Sequence, residues 1–190
     1  ISHAIEELDG GRFREDTWSR EGGGGGRTRI LEEGQVFEKA GVNFSSVHGD
    51  LPEQFASKIP LGTGTSFFPT GMSLVFHPRN PMVPAVHANF RYLEKGDANW
   101  FGGGMDLTAC YPYAEDAIHF HQTIKQACDR HDPEFYPRFK KWCDEYFMLK
   151  HRGEMRGIGG LFFVYVQDDK ATYFEFVRDI GDSFLAAYLP

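Results

Sequence analysis

A histidine, an asparagine and an arginine alternate in the run His87-Ala88-Asn89-Phe90-Arg91. In an extended chain successive side chains point to opposite faces, so an imidazole, an amide and a guanidinium share one surface. That trio suits a carboxylate-bearing ligand. Arg91 supplies a two-pronged clamp, Asn89 an orienting donor, and His87 a proton donor or acceptor. The solvent-facing side of an antiparallel sheet explains the same alternation equally well. Ser73 and His77 share a face of Met72–His77, and they join this polar surface if the two strands pair. Plain surface polarity also accounts for them. Asp106 follows the triplet Gly102–Gly104, where a carboxylate could meet a ligand that approaches the backbone closely. A turn or capping aspartate is the ordinary alternative.

His77, His87, His121 and His151 form a candidate imidazole set for a metal. None of them has a diagnostic spacing such as H-E-x-x-H, and His119-x-His121 would be split on a helix. His121 falls on an apolar helix face, where a histidine satisfied by the core is the commoner case. His151 stands near an expected helix C-terminus, where a positive charge is favourable without any ligand role. The uninterrupted run Gly22–Gly26, followed by Arg27 and Arg29, offers backbone N–H groups to an anion. The run lacks Gly-Lys-Ser/Thr and any G-x-G-x-x-G register, so a flexible surface loop is the simpler reading. No G-x-S-x-G element supports hydrolase chemistry of that type.

These residues need elements to position them. Met72–His77 and Val86–Leu93 alternate as strands, with Pro78–Pro84 as the turn between them. Gln35–Phe44 is strand-like with Gly41 as a break, and Leu51–Thr70 reads as a loop rich in proline and glycine. Ala114–Arg130 has helical spacing through Ala117, Ile118, Phe120, Ile124, Ala127 and Cys128. A second helix starts with Asp132 as N-cap and Pro133 at the first helical position, buries Phe135, Phe139, Trp142, Cys143, Tyr146 and Phe147, and stops near Gly153. Gly157–Val166 reads as a buried strand and Thr172–Tyr188 as a third helix. Strands and helices mix without regular alternation, which favours an α+β class: a largely antiparallel sheet flanked by helices in one domain.

At 190 residues the chain can bury about 70% of its unfolded surface, so it needs no disulfide staples. The cysteines Cys110, Cys128 and Cys143 have no C-x-x-C spacing, and their odd number fits a reducing compartment. A net charge of −7 argues against a nucleic-acid surface, which needs clustered Lys and Arg. No apolar run reaches the roughly 18 residues of a membrane-spanning helix. Aromatics make up 15% of the chain and glycines number 22, a combination that suits a pocket for a large flat ligand, although aromatics more often form plain core.

Taken in order, the stretches EGGGGGRTRILEEGQVFEKAGVNFSSVHG, GMSLVFHPRNPMVP, HANFRY, WFGGGMDLTACY, EDAIHFH, YPRFKKWCDEYFMLKHRGEMRGIGGLFF and AYLP closely resemble the oxygen-dependent coproporphyrinogen III oxidase family. The likeness runs over nearly the whole chain. It implies oxidative decarboxylation of two propionates of coproporphyrinogen III to vinyl groups, giving protoporphyrinogen IX in haem biosynthesis, with O₂ as oxidant. It implies no flavin or haem, and a divalent metal such as Mn only in bacterial members. Under the resemblance His87 matches the proton donor. Ser73, Asn89, Phe90 and Arg91 match substrate contacts, and Asp106 matches an aspartate that addresses pyrrole N–H groups. His77, His87, His121 and His151 match the bacterial metal ligands. The family forms homodimers and works in the cytoplasm or, after loss of a targeting peptide, in the mitochondrial intermembrane space. It also extends well past AYLP, and its FFDDL is here Phe162-Phe163-Val164-Tyr165-Val166, so residues 1–190 are expected to be one domain lacking the family's C-terminal segment. A catalytically inactive tetrapyrrole-binding protein is the rival expectation.

Overall fold

The computed structural model describes residues 1–167 and 169–189. In chain order it runs through α1 (Ser2–Asp9), β1 (Arg14–Ser19), β2 (Gly24–Glu32), β3 (Phe37–Val47), β4 (Gly49–Asp50), α2 (Glu53–Ala56), β5 (Ser66–Pro78), β6 (Ala85–Lys95) and β7 (Ala98–Thr108). It continues with α3 (Ala114–Asp129), α4 (Phe135–Phe147), β8 (Met148–Leu149), β9 (Glu154–Met155), β10 (Gly159–Val166), α5 (Lys170–Asp182) and α6 (Phe184–Tyr188). Eight strands make one sheet in the order β1-β2-β3-β5-β6-β7-β10, with β4 added to β5. Neighbouring strands pair antiparallel throughout. The α+β class expected from the pattern is the class observed. No helix among the described residues is long and apolar enough to cross a membrane.

Alternation gives the sheet two unlike faces. Leu74, Phe76, Val86, Ala88, Met105 and Leu161 point to one side and are at most 1% exposed. They meet Phe120 and Ile124 of α3, Phe176 and Ile180 of α5, and Phe184 of α6, all fully buried. Aromatic edges interlock here. Phe76 meets Phe184 with ring centres 5.8 Å apart, and Phe163 lies 5.2 Å from Phe139 and 5.3 Å from Phe176. Burying one such ring stabilises by about 1.5–3 kcal/mol, so this layer supplies most of the cohesion.

One buried carboxylate ties α1 to the sheet. Asp9 is 1% exposed and accepts N–H bonds from Gly11, Gln35, Val36 and Phe37 at 3.1, 3.2, 2.9 and 2.8 Å. Burial alone would raise its carboxyl pKa. The N–H groups, Phe37 and Val36 foremost, outweigh that and hold it below the ordinary range.

Several local expectations differ from the structure. Gly24–Gly26 are strand residues paired to β1 and β3, not a loop, so they offer no cradle of free N–H groups. Gly41 continues β3 without a break. Leu51–Thr70 contains α2 and the start of β5. The second helix begins at Phe135, because Asp132 accepts the Glu134 N–H at 2.8 Å in a turn that keeps Pro133 outside the helix. It ends at Phe147, where the chain enters the β8–β9 hairpin, and Tyr146 is 60% exposed instead of buried. Ile118 is likewise exposed, since α3 covers the sheet with its Phe120–Ile124 side. The third helix is two, divided at Ser183, whose hydroxyl donates to the Ile180 carbonyl at 2.7 Å.

Candidate functional site

Residues opposed across an antiparallel pair share a face, so the register lays out the second side of the sheet in rows. One row holds Gly102, Arg91, Gly71, Ser45 and Gly26. The next holds Gly104, Asn89, Ser73, Asn43 and Thr28. A third holds Asp106, His87, Val75, Gly41 and Ile30. The strand pairing that sequence alone left conditional is present, and Ser73 lies directly opposite Asn89. Arg91 stands between two glycines, so no neighbouring side chain crowds it in its row. A cavity of about 260 Å³ opens here, lined by Asn43, Ser73, His87, Asn89 and Arg91 among others.

The polar groups form a chain of hydrogen bonds with one polarity. Arg91 Nε donates to Asn89 Oδ1 at 3.0 Å. That contact fixes the amide with Nδ2 toward His87, where it meets Nε2 at 3.3 Å. Nε2 is then the acceptor, so the proton of neutral His87 sits on Nδ1 and is donated to Asp106 Oδ1 at 2.9 Å. The second oxygen of Asp106 accepts from the Arg156 guanidinium. Asp106 is only 3% exposed, whereas Arg91, at the other end of the chain, is exposed. The terminal nitrogens of Arg91 have no carboxylate partner among the described residues.

Arg156 carries no signal in the sequence, since it lies outside any alternating run and meets Asp106 across a fifty-residue separation. Three features describe its setting. Its guanidinium stacks 3.7 Å over the Phe147 ring at the end of α4. Its buried Nε has no hydrogen-bond partner among the described residues. Two residues on, the Ile158 carbonyl accepts from His121 Nε2 at 2.9 Å. His121 Nδ1 takes the Tyr136 hydroxyl at 3.0 Å, and burial pushes the imidazole pKa down, so both ring nitrogens are engaged in a neutral ring.

These contacts bear on three expectations. The four histidines do not assemble. His121 is used up by Ile158 and Tyr136, His87 by Asp106 and Asn89, and His151 is exposed in the β8–β9 turn. Among the described residues no three His, Cys, Asp or Glu side chains converge as metal ligands, so these donors do not fit the metal site that the resemblance implies. Asp106 does not present a free carboxylate to a ligand, because both its oxygens are engaged beneath the surface. Phe90 points to the helix-covered face, is 7% exposed, and packs beside Gly181 of α5, so its side chain is not on the site's face. His87, Asn89, Arg91 and Ser73 come together as the strand period requires, and exposed His77 lies further along the same face opposite Lys39.

Comparison with known proteins agrees with the motif order. The family model described as coproporphyrinogen III oxidase matches residues 1–190. An oxygen-dependent coproporphyrinogen-III oxidase of Prochlorococcus marinus (strain MIT 9313) is 48% identical over an alignment of 218 residues that covers all of this chain. The chain spans 62% of that relative's length. A full-length family match, laid over a sheet face that presents its polar residues in register, places this chain in the coproporphyrinogen III oxidase family.

Proposed function

We propose that this chain carries the substrate face of an oxygen-dependent coproporphyrinogen oxidase, with Arg91, Asn89, Ser73 and His87 as the ligand-facing groups. The observation that supports this most is the directed chain of hydrogen bonds from buried Asp106 to exposed Arg91. It leaves a guanidinium whose terminal nitrogens have no carboxylate partner among the described residues, on a glycine-flanked floor that suits a flat macrocycle bearing propionates.

In the reaction each propionate loses its carboxylate as CO₂ and a hydride from the β carbon next to the ring, leaving a vinyl group. The two electrons released reduce O₂, which takes up two protons and departs as hydrogen peroxide. Arg91 anchors a propionate while Ser73 and Asn89 orient the neighbouring edge of the ring. Nε2 of His87 is the basic nitrogen on this face. A proton taken there leaves Asn89 Nδ2 opposed to another donor, so the amide turns toward the ligand. Asp106 stabilises the imidazolium through Nδ1, and the Arg156 guanidinium donates to its second oxygen. Asp106 therefore acts through His87 and does not touch the pyrrole N–H groups.

The test is turnover of coproporphyrinogen III under air and under argon, with products separated by chromatography, for the unsubstituted chain and Arg91→Ala. The expected result is vinyl product under air alone, with kcat/KM reduced about a hundredfold in the variant, the value of a charge-assisted pair of roughly 3 kcal/mol. Undiminished turnover by Arg91→Ala would overturn the assignment. Tight binding without vinyl product would instead support a catalytically inactive tetrapyrrole-binding protein.

A further inference from the structure

The site described above occupies only part of the open face. A second cavity of about 250 Å³ lies beside it, and the two share Asn43 and Ser73. The second cavity continues toward the far end of β5, bounded by Lys39, Gly41, Val75 and His77. We propose that this cavity is a second subsite, which takes a carboxylate-bearing arm of the same ligand that Arg91 anchors. The proposal rests on the porphyrinogen reading and adds a place to it.

Three observations support it. First, Gly41 opens the floor. A side chain added there would meet nothing within 4 Å, so the space belongs to the cavity and not to packing. Second, the cavity has a cation at its far wall. Lys39 pairs with Glu32 at 3.0 Å, but both groups are more than half exposed, where such a pair contributes about 0–1 kcal/mol. The ammonium therefore keeps donors for an incoming carboxylate, and Asn43 supplies an exposed amide between the two cavities. Third, the spacing suits a ligand with anions on opposite sides. From Gly71, opposite Arg91, to His77, opposite Lys39, β5 runs about 20 Å of extended chain. Arg91 leans inward through its bond to Asn89, and a Lys39 side chain that leaves Glu32 can reach inward from the other end, which brings the gap to the scale of a substituted macrocycle.

The probe is coproporphyrin III, a fluorescent tetracarboxylate, with its tetramethyl ester as the uncharged control. Binding is read from porphyrin fluorescence for the unsubstituted chain, Gly41→Leu and Lys39→Gln, with thermal melting recorded in parallel. Gly41→Leu fills the cavity at an open strand position, and Lys39→Gln removes the cation at a surface position, so both are expected to melt like the parent. The expected result is about tenfold weaker binding of the tetra-acid by each variant. Lys39→Gln should leave ester binding unchanged. Unchanged tetra-acid affinity in both variants would remove the second subsite alone. Failure of the unsubstituted chain to bind the tetra-acid would remove the porphyrinogen reading, and this site with it.

Discussion

The two faces of the sheet are made by the same strands and have opposite characters. On the helix-covered side Phe76, Val86, Ala88 and Met105 are sealed against α3, α5 and α6. One residue away along the same strands stand His77, His87 and Asn89, which pack against no apolar layer and instead bond to one another or face the cavities. The period of two forces this division, because every residue moved off the core face lands on the open one. The covered face supplies cohesion, so the open face can hold groups that would be costly in a core.

The comparison breaks most visibly at Phe76. Its replacement by alanine is expected to destabilise by about 3–5 kcal/mol in a denaturant titration, because the ring leaves a cavity among Phe37, Phe184 and Tyr188. Arg91→Ala, on the other face, is expected to leave that titration unmoved. A stability loss there comparable to Phe76→Ala would mean that the open face is structural after all.

Arg156 lies where the faces meet, with a smaller expected effect. Arg156→Ala strands the Asp106 carboxylate, but Arg156 is partly exposed, so about 2 kcal/mol is expected rather than the full cost of breaking a buried pair. Arg156→Lys should recover most of the stability, yet the pH profile of turnover should still shift, since an ammonium cannot repeat the stacked guanidinium geometry. A profile identical to the parent in both variants would reduce Arg156 to a purely structural contact.

Asp9 gives the smallest effect and tests the covered side by pH. Its carboxyl is held below the ordinary value of 3.8, so its contribution is fully present above that pH and is lost as pH falls through the lowered folded value. Asp9→Asn is expected to cost about 1 kcal/mol at neutral pH and progressively less in acid, measured as melting temperature against pH. A constant difference between the two proteins across the acid range would show that the charge on Asp9 is irrelevant.

The strand segments were legible because periodicity acts over a few residues. His87, Asn89 and Arg91 could be assigned to one face before any partner was known, and Phe135, Phe139, Phe176 and Ile180 to helix faces that seek cover. Helix ends were less legible, since Pro133 and Tyr146 answer to a turn bond and a following hairpin that no helical spacing encodes.

The sequence by itself determined the alternation that separates a cohesive face from a polar one, and the ordered motifs that mark the family. The tertiary structure decided what the polar residues touch. It paired His87 with Asp106, brought in Arg156 from fifty residues away, and spent His121 on the Ile158 carbonyl instead of a metal. The physical reason is range: side-chain direction follows from local backbone geometry, whereas a hydrogen-bond partner depends on which distant strand or hairpin register and packing bring within about 3 Å.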